Sequence, residues 1–428
     1  MKQRAETANT EENSLGATRS ISGELLRLPV IVAALGYLVD MYDLFLFSIV
    51  RVPSLTDLGL SGNKLLEDGV LMLNMQMAGL LIGGIFWGIL GDKKGRLSVL
   101  FGSILIYSLA NIANGFVQSV PQYAILRFIA GIGLAGELGA GVTLVSEILP
   151  QKIRGYGTTL VATLGVFGAI LAYFIADVFA WRASYFIGGG LGLVLLLMRV
   201  RVFESGIFLK TKTAEVQRGN ILMLFNNRER FLRYLKCILV GLPIWFVVGV
   251  LITFSPELGQ AIGLDAPVKA GIAVILSFGS QAFGNITSGL LSQYTRSRKK
   301  VMGLFIIMSF LFSLLYLLLP MHSVNVFYLL CIFLGFSNGY WTLFVTVAAE
   351  LFGTNLRATV ATTVPNFVRG AVIPITTLFL FLRADLGIVY SALALALLTI
   401  AIALVSLWSL DETFHKDLNY NEQTANSQ

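Results

Sequence analysis

Two cysteines, Cys237 and Cys331, and two histidines, His322 and His415, are all that 428 residues provide of either type. So few cysteines, both inside apolar runs, exclude a disulfide scaffold. Two histidines so far apart exclude a metal site built on imidazoles. Charge is scarce as well, at 13% of residues, where a soluble domain carries about a quarter. No Ser–His pair or phosphate loop suggests an enzyme. The glycine-rich run from Gly131 to Gly141 follows no strand and lacks the closing Lys-Ser/Thr of a nucleotide loop. Its small residues suit close packing of membrane helices.

Apolar residues make up 56% of the chain, and mean hydropathy is +0.78. Such a chain is expected to be an all-α polytopic membrane protein. Twelve segments have the length and apolarity of a crossing: 29–50, 69–90, 98–119, 124–149, 157–179, 184–203, 233–255, 270–293, 301–320, 325–350, 358–382 and 387–410. A polar stretch, 204–232, divides them into bundles at 29–203 and 233–410. Polar tails at 1–28 and 411–428 complete the expected organisation. The net charge of +7 needs no nucleic acid to explain it. Most Lys and Arg fall on the side of the two termini, whereas Arg51, Lys64, Arg182, Lys269 and Arg383 fall on the other. The bias predicts cytoplasmic termini.

The two bundles repeat. Glu147 and Arg154, at the end of span 4, return as Glu350 and Arg357 at the end of span 10, in the same relative register. Two six-helix repeats of like orientation around a central cavity are the plan of one large class of secondary transporters.

Gly88-Ile89-Leu90-Gly91-Asp92-Lys93-Lys94-Gly95-Arg96 resembles the loop 2–3 signature of the major facilitator superfamily. The run from Arg127 to Gly155 resembles span 4 and loop 4–5 of its proton-coupled branches. Asp40-Met41-Tyr42-Asp43 looks like the span 1 acid pair of metabolite and aromatic-acid proton symporters. Val368 to Pro374 is similar to the arginine-glycine stretch of span 11 in aromatic-acid symporters. The resemblance covers about residues 25–412. It implies a monomer in a bacterial inner membrane, working by alternating access, with no cofactor and a proton gradient as its energy source. It also implies a cytoplasmic gate of Gly88, Asp92, Gly95, Arg96, Glu147, Arg154, Glu350 and Arg357. Span 7 lacks the acid usual in phosphate symporters, and span 5 lacks the glycine-proline pair of drug antiporters.

A charge near mid-bilayer costs roughly 2.5–3.5 kcal/mol on insertion scales and marks a functional site by default. Asp40 lies about 18 Å into span 1, with Asp43 one turn beyond it. Two carboxylates so close resist carrying full charge together, as a proton carrier requires. Arg127 matches Asp43 in depth and is its expected counter-ion, a pairing the resemblance also implies. The alternative is an arginine snorkelling to the interface. Glu137 is too deep to reach a headgroup and faces either the cavity or a partner. These four are the candidate proton-coupling set. Arg369, about 18 Å beyond Arg357, either binds an anionic substrate or pairs with an acid across the cavity. Asn366, Tyr340, Trp341, Trp245, Gln281 and Asn285 are candidate substrate contacts, with helix packing as the competing role, as it is for Asn111 and Asn114. The expectation is a proton-coupled symporter of a small organic anion or related metabolite. A sugar, phosphate or drug carrier, or a membrane sensor on the same scaffold, is the alternative.

Overall fold

A computed structural model describes residues 27–94, 96–137, 149, 154–204, 221–414 and 422. Among them there are helices and no strand. Without water, backbone polar groups must be satisfied within each segment, which a helix does. Eight helical stretches are long and apolar enough to cross a bilayer. The last of these, Thr359–Trp408, holds two spans, and Val99–Asn114, Val120–Leu134 and Leu164–Val178 are shorter apolar helices. Together they make the expected twelve.

The first half comprises Leu28–Asp57, Asn63–Lys94, Arg96–Asn114, Val120–Leu134, Arg154–Val178 and Trp181–Glu204, spans 1 to 6. Span 7 is broken into Arg228–Val240, Leu242–Phe246 and a π-helical stretch, Val247–Ile252, followed by a short helix, Ser255–Ile262. Pro243 and Pro256 account for part of this, since each lacks an amide donor. Spans 8 and 9 are Ala270–Thr295 and Arg298–Leu318, and span 10 is Val324–Ser337 with Trp341–Glu350. Span 11 runs from Thr354–Gly370 into Val372–Trp408. That last helix is interrupted at Gly387 (φ 74°), a backbone conformation open to glycine, and span 12 starts there.

Several helices outrun the apolar windows that located them. Span 1 continues to Asp57, and span 7 takes in Arg228–Leu232, which the sequence boundary leaves in the central loop. Hydropathy marks the hydrocarbon layer, whereas helix ends are set by caps. Asn227 Oδ1 accepts from Glu229 N (2.8 Å) and Arg230 N (3.2 Å) at the start of span 7, as an N-cap should.

The surface is inverted relative to a soluble protein. Phe283, Leu290, Phe381 and Trp408 are exposed, while four arginines, Arg51, Arg127, Arg199 and Arg369, are among the most deeply buried side chains. The repeat extends to packing. A methyl on Gly131 would strike Gln76 O where span 4 meets span 2, and one on Gly335 would strike Ser277 O where span 10 meets span 8. Small residues at these crossings let backbones touch.

Candidate functional site

With twelve spans, the start of span 1 and the end of span 12 lie on one side of the bundle, here the terminal side; the other is the far side. Span 1 carries the acids. Asp40 and Asp43 are each 1% exposed, and neither carboxylate has a hydrogen-bond partner among the described residues. The two acids answer to different arginines. Arg127 exerts the strongest charge interaction on Asp43, and Asn111 also faces that carboxylate. Arg369, from the other half, exerts the strongest on Asp40, followed by Glu137.

Arg127 is fully buried. It lies over the rings of Phe47 (5.1 Å) and Tyr185 (5.9 Å), and its three nitrogens have no hydrogen-bond partner among the described residues. Aromatic faces partly replace the water it has lost. An interfacial, snorkelling role is therefore excluded.

Arg369 lies 5.8 Å from the ring of Trp245 and approaches the Tyr37 side chain, as well as Asp40. Pro365 breaks the hydrogen-bond ladder of its helix. Asn366, one turn earlier, lies against Gly84 of span 2. The other predicted substrate contacts diverge. Tyr340 donates to Val240 O (3.1 Å), tying span 10 to span 7. Gln281 donates to Asn338 O (3.5 Å), and Asn285 accepts from Thr342 N and Oγ1 (3.3 Å each), tying span 8 to span 10. Trp341 packs on Phe344 (5.7 Å). Tyr340, Gln281 and Asn285 thus link neighbouring spans, whereas the Trp341 contact lies within its own helix. Asn111 and Asn114 are fully buried within span 3.

Glu137 faces a partner that sequence reasoning missed. Arg199, counted there among the terminal-side charges, is 2% exposed and binds Glu137 with both terminal nitrogens. The signal was its place at the end of an apolar run, "LLLMR". Arg199 stands several residues inside the helix end, so its side chain reaches into the bundle.

On the far side the halves are joined directly. Arg51 Nη1 donates to Glu257 Oε1 (2.7 Å) and Nη2 to Oε2 (2.6 Å). Arg51 also donates to Leu65 O and Thr253 O (3.3 Å each), and stacks on Phe254 at 4.7 Å. Ser48 and Thr253 hydroxyls meet at 3.2 Å. Spans 2 and 11 run antiparallel in register: Glu67 faces Arg383 (3.9 Å), Asn74 accepts from Thr376 (2.6 Å), Leu81 meets Gly370 and Gly84 meets Asn366.

On the terminal side, Glu350 pairs with Arg298, at the start of span 9, at 2.8 Å. Arg357 donates to Phe352 O (3.4 Å). Gly95 and Glu147 lie outside the described residues, as do the side chains of Asp92, Arg96 and Arg154 and the surroundings of Gly88.

Comparison with known proteins gives this architecture its place. The family model described as Major Facilitator Superfamily matches residues 33–375. A probable 4-methylmuconolactone transporter of Cupriavidus pinatubonensis is 27% identical over 338 residues, covering 76% of each chain. A 3-(3-hydroxy-phenyl)propionate transporter of Escherichia coli is 29% identical over 294 residues, 66% of this chain and 69% of the relative. In fold, the chain is similar to the E. coli xylose transporter in its inward-open conformation, with TM-score 0.70 and 18% identity over 91% of this chain and 97% of that one. A multi-pass transport protein rather than an enzyme, the chain belongs to the Major Facilitator Superfamily.

Proposed function

We propose that the protein is a proton-coupled symporter that imports a small organic anion, most simply an aromatic or unsaturated carboxylate. One observation carries this reading: Asp40 of the first half and Arg369 of the second are both 1% exposed, and Arg369 is the cation that acts most strongly on Asp40, with no hydrogen bond between them. A substrate carboxylate competes with Asp40 for the Arg369 guanidinium, which is suited to bidentate binding and stays charged. Displaced Asp40 is then a buried acid without a counter-ion, and a buried carboxyl in that position takes a proton. Anion and proton thus enter together. Asp43 with Arg127 is a second such set, one turn toward the far side. Trp245, beside Arg369, offers a ring to an aromatic substrate.

The two relatives support this choice of substrate class, being transporters of a muconolactone and of a hydroxyphenyl acid. The charge bias supports a cytoplasmic terminal side, in a bacterial inner membrane. The far-side joint is then the outer gate, and its opening and closing give alternating access. No cofactor takes part, and a single chain suffices.

Uptake by proteoliposomes of labelled benzoate, nicotinate, cis,cis-muconate and 3-(3-hydroxyphenyl)propionate tests this, with external pH recorded. Substrate-dependent external alkalinisation is expected for at least one. Uptake without proton movement refutes symport. A thermal-shift screen against the same acids tests the anion site: equal stabilisation of the wild type and Arg369→Ala refutes it.

A further inference from the structure

Glu137 and Arg199 are 1% and 2% exposed, the most enclosed ion pair among the described residues. Arg199 Nη2 meets Glu137 Oε1, and Nη1 donates both to Oε2 and to Leu100 O, each at 3.0 Å. Glu137, three residues past the Val120–Leu134 helix of span 4, supplies the acid, span 6 the base and span 3 the carbonyl. Span 1 closes the joint through Gly36, where a methyl would overlap both Glu137 Oε1 and Arg199 Nη2. Gly36, Asp40 and Asp43 fall at i, i+4 and i+7, one stripe of a helix. The ion pair is thus the seat on which the acid-bearing face of span 1 rests.

We infer that Glu137 and Arg199 form a permanently ionised brace rather than a proton-carrying site, and that Arg199 is a positioning residue for Asp40 and Asp43. Protonating Glu137 would leave a bare guanidinium in the bundle with one carbonyl for company, and an uncompensated buried charge is strongly disfavoured. The described titratable groups around Glu137 are Arg199 from span 6, Tyr107 from span 3 and Asp40 from span 1. Of these only Arg199 offers a positive charge. It also neutralises the negative charge that acts most strongly on Asp40. The brace thereby sets both the place and the field of the acid opposite Arg369. This rests on the proton-coupled reading above, and it assigns the transported proton to the aspartates of span 1.

Uptake and proton movement in proteoliposomes with Glu137→Gln, Arg199→Met and the double variant provide the test. Each single change strands one buried partner and is expected to lower uptake at least about tenfold. The double change leaves no buried charge unpaired, and is expected to return uptake to within about threefold of wild type, with coupling and pH profile intact. A double variant that transports but no longer moves protons would make Glu137 the carrier and overturn the inference. A double variant no better than the singles also counts against it if it is folded. Infrared pH titration of the wild type, with aspartate or glutamate carboxyls isotopically labelled, reads the same question in the native protein. The carboxyl band that changes with substrate should move with labelled aspartate, and a band that moves with labelled glutamate refutes the brace. Should the wild type move no proton with substrate, the symport reading fails, while rescue of uptake in the double variant still decides the brace.

Discussion

Replacing Arg51 by alanine should loosen the far-side gate by an amount that its surroundings allow to be worked out. Arg51 is fully buried and Glu257 is 19% exposed, and the two share a bidentate contact across the halves. Removing one partner of a buried pair costs about 3–5 kcal/mol. Partial exposure of Glu257 lowers this, and about 2 kcal/mol is a conservative figure for the differential between a closed and an open far side. At 1.4 kcal/mol per decade that is roughly a 30-fold shift of the equilibrium toward opening. Ser48, 4% exposed and one turn beneath Arg51, bonds to Thr253 in the same joint. A Ser48→Cys reporter should therefore react faster with a membrane-impermeant thiol reagent when Arg51→Ala is added. The increase should be of the order of the equilibrium shift, roughly 30-fold. Native Cys237 and Cys331 are buried and add no background. Glu257→Ala should act alike, and the exchanged pair Arg51→Glu with Glu257→Arg should restore slow labelling. Unchanged labelling in both single variants would refute the latch.

Gly36→Ala pushes a methyl into the Glu137–Arg199 contact; it should lower thermal stability by about 1–3 kcal/mol and abolish uptake, as read by differential scanning fluorimetry and transport. Gly131→Ala and Gly335→Ala each meet a backbone carbonyl of the neighbouring span, and comparable losses of stability are expected, one in each half. Glu412, beyond span 12, accepts from Ser297, Arg298 N (3.0 Å) and Lys299 N (3.3 Å) at the start of span 9. Burial raises its carboxyl pKa, but the hydrogen bonds from Ser297, Arg298, Phe414 and Lys299 outweigh this and hold it below its ordinary value. The stabilisation is complete above the ordinary glutamate pKa of about 4.3 and is lost as pH falls through the lower folded value. Glu412→Gln should cost about 1 kcal/mol at neutral pH, and less in acid, by thermal melts across pH.

The fold was legible in the sequence because its strongest constraint is local. Each crossing needs its own run of apolar residues, so twelve runs announce twelve spans. The Glu147–Arg154 and Glu350–Arg357 spacing announced the repeat, and the glycine contacts of Gly131 and Gly335 carry it into packing. Asp40, Asp43, Arg127, Glu137 and Arg369 were legible for the same reason: a charge deep in an apolar run stands out.

Their partners were not legible. Sequence reasoning set Glu137 among the proton carriers and left Arg199 with the solvated ends, although the two share a buried ion pair. It read Arg51 only as an outer charge and passed over Glu257. Tyr340, Gln281 and Asn285, read as substrate contacts or packing groups, each make a hydrogen bond between two spans. Hydropathy reports depth along a span and says nothing of rotation about its axis, and rotation decides which neighbour a side chain meets. The sequence by itself thus determined how many helices cross, their repeat and which charges lie deep. Tertiary structure alone decided that Arg369, across the halves, acts most strongly on Asp40 while Arg127, within the same half, acts most strongly on Asp43, because which charges come near one another depends on how separate helices turn and pack.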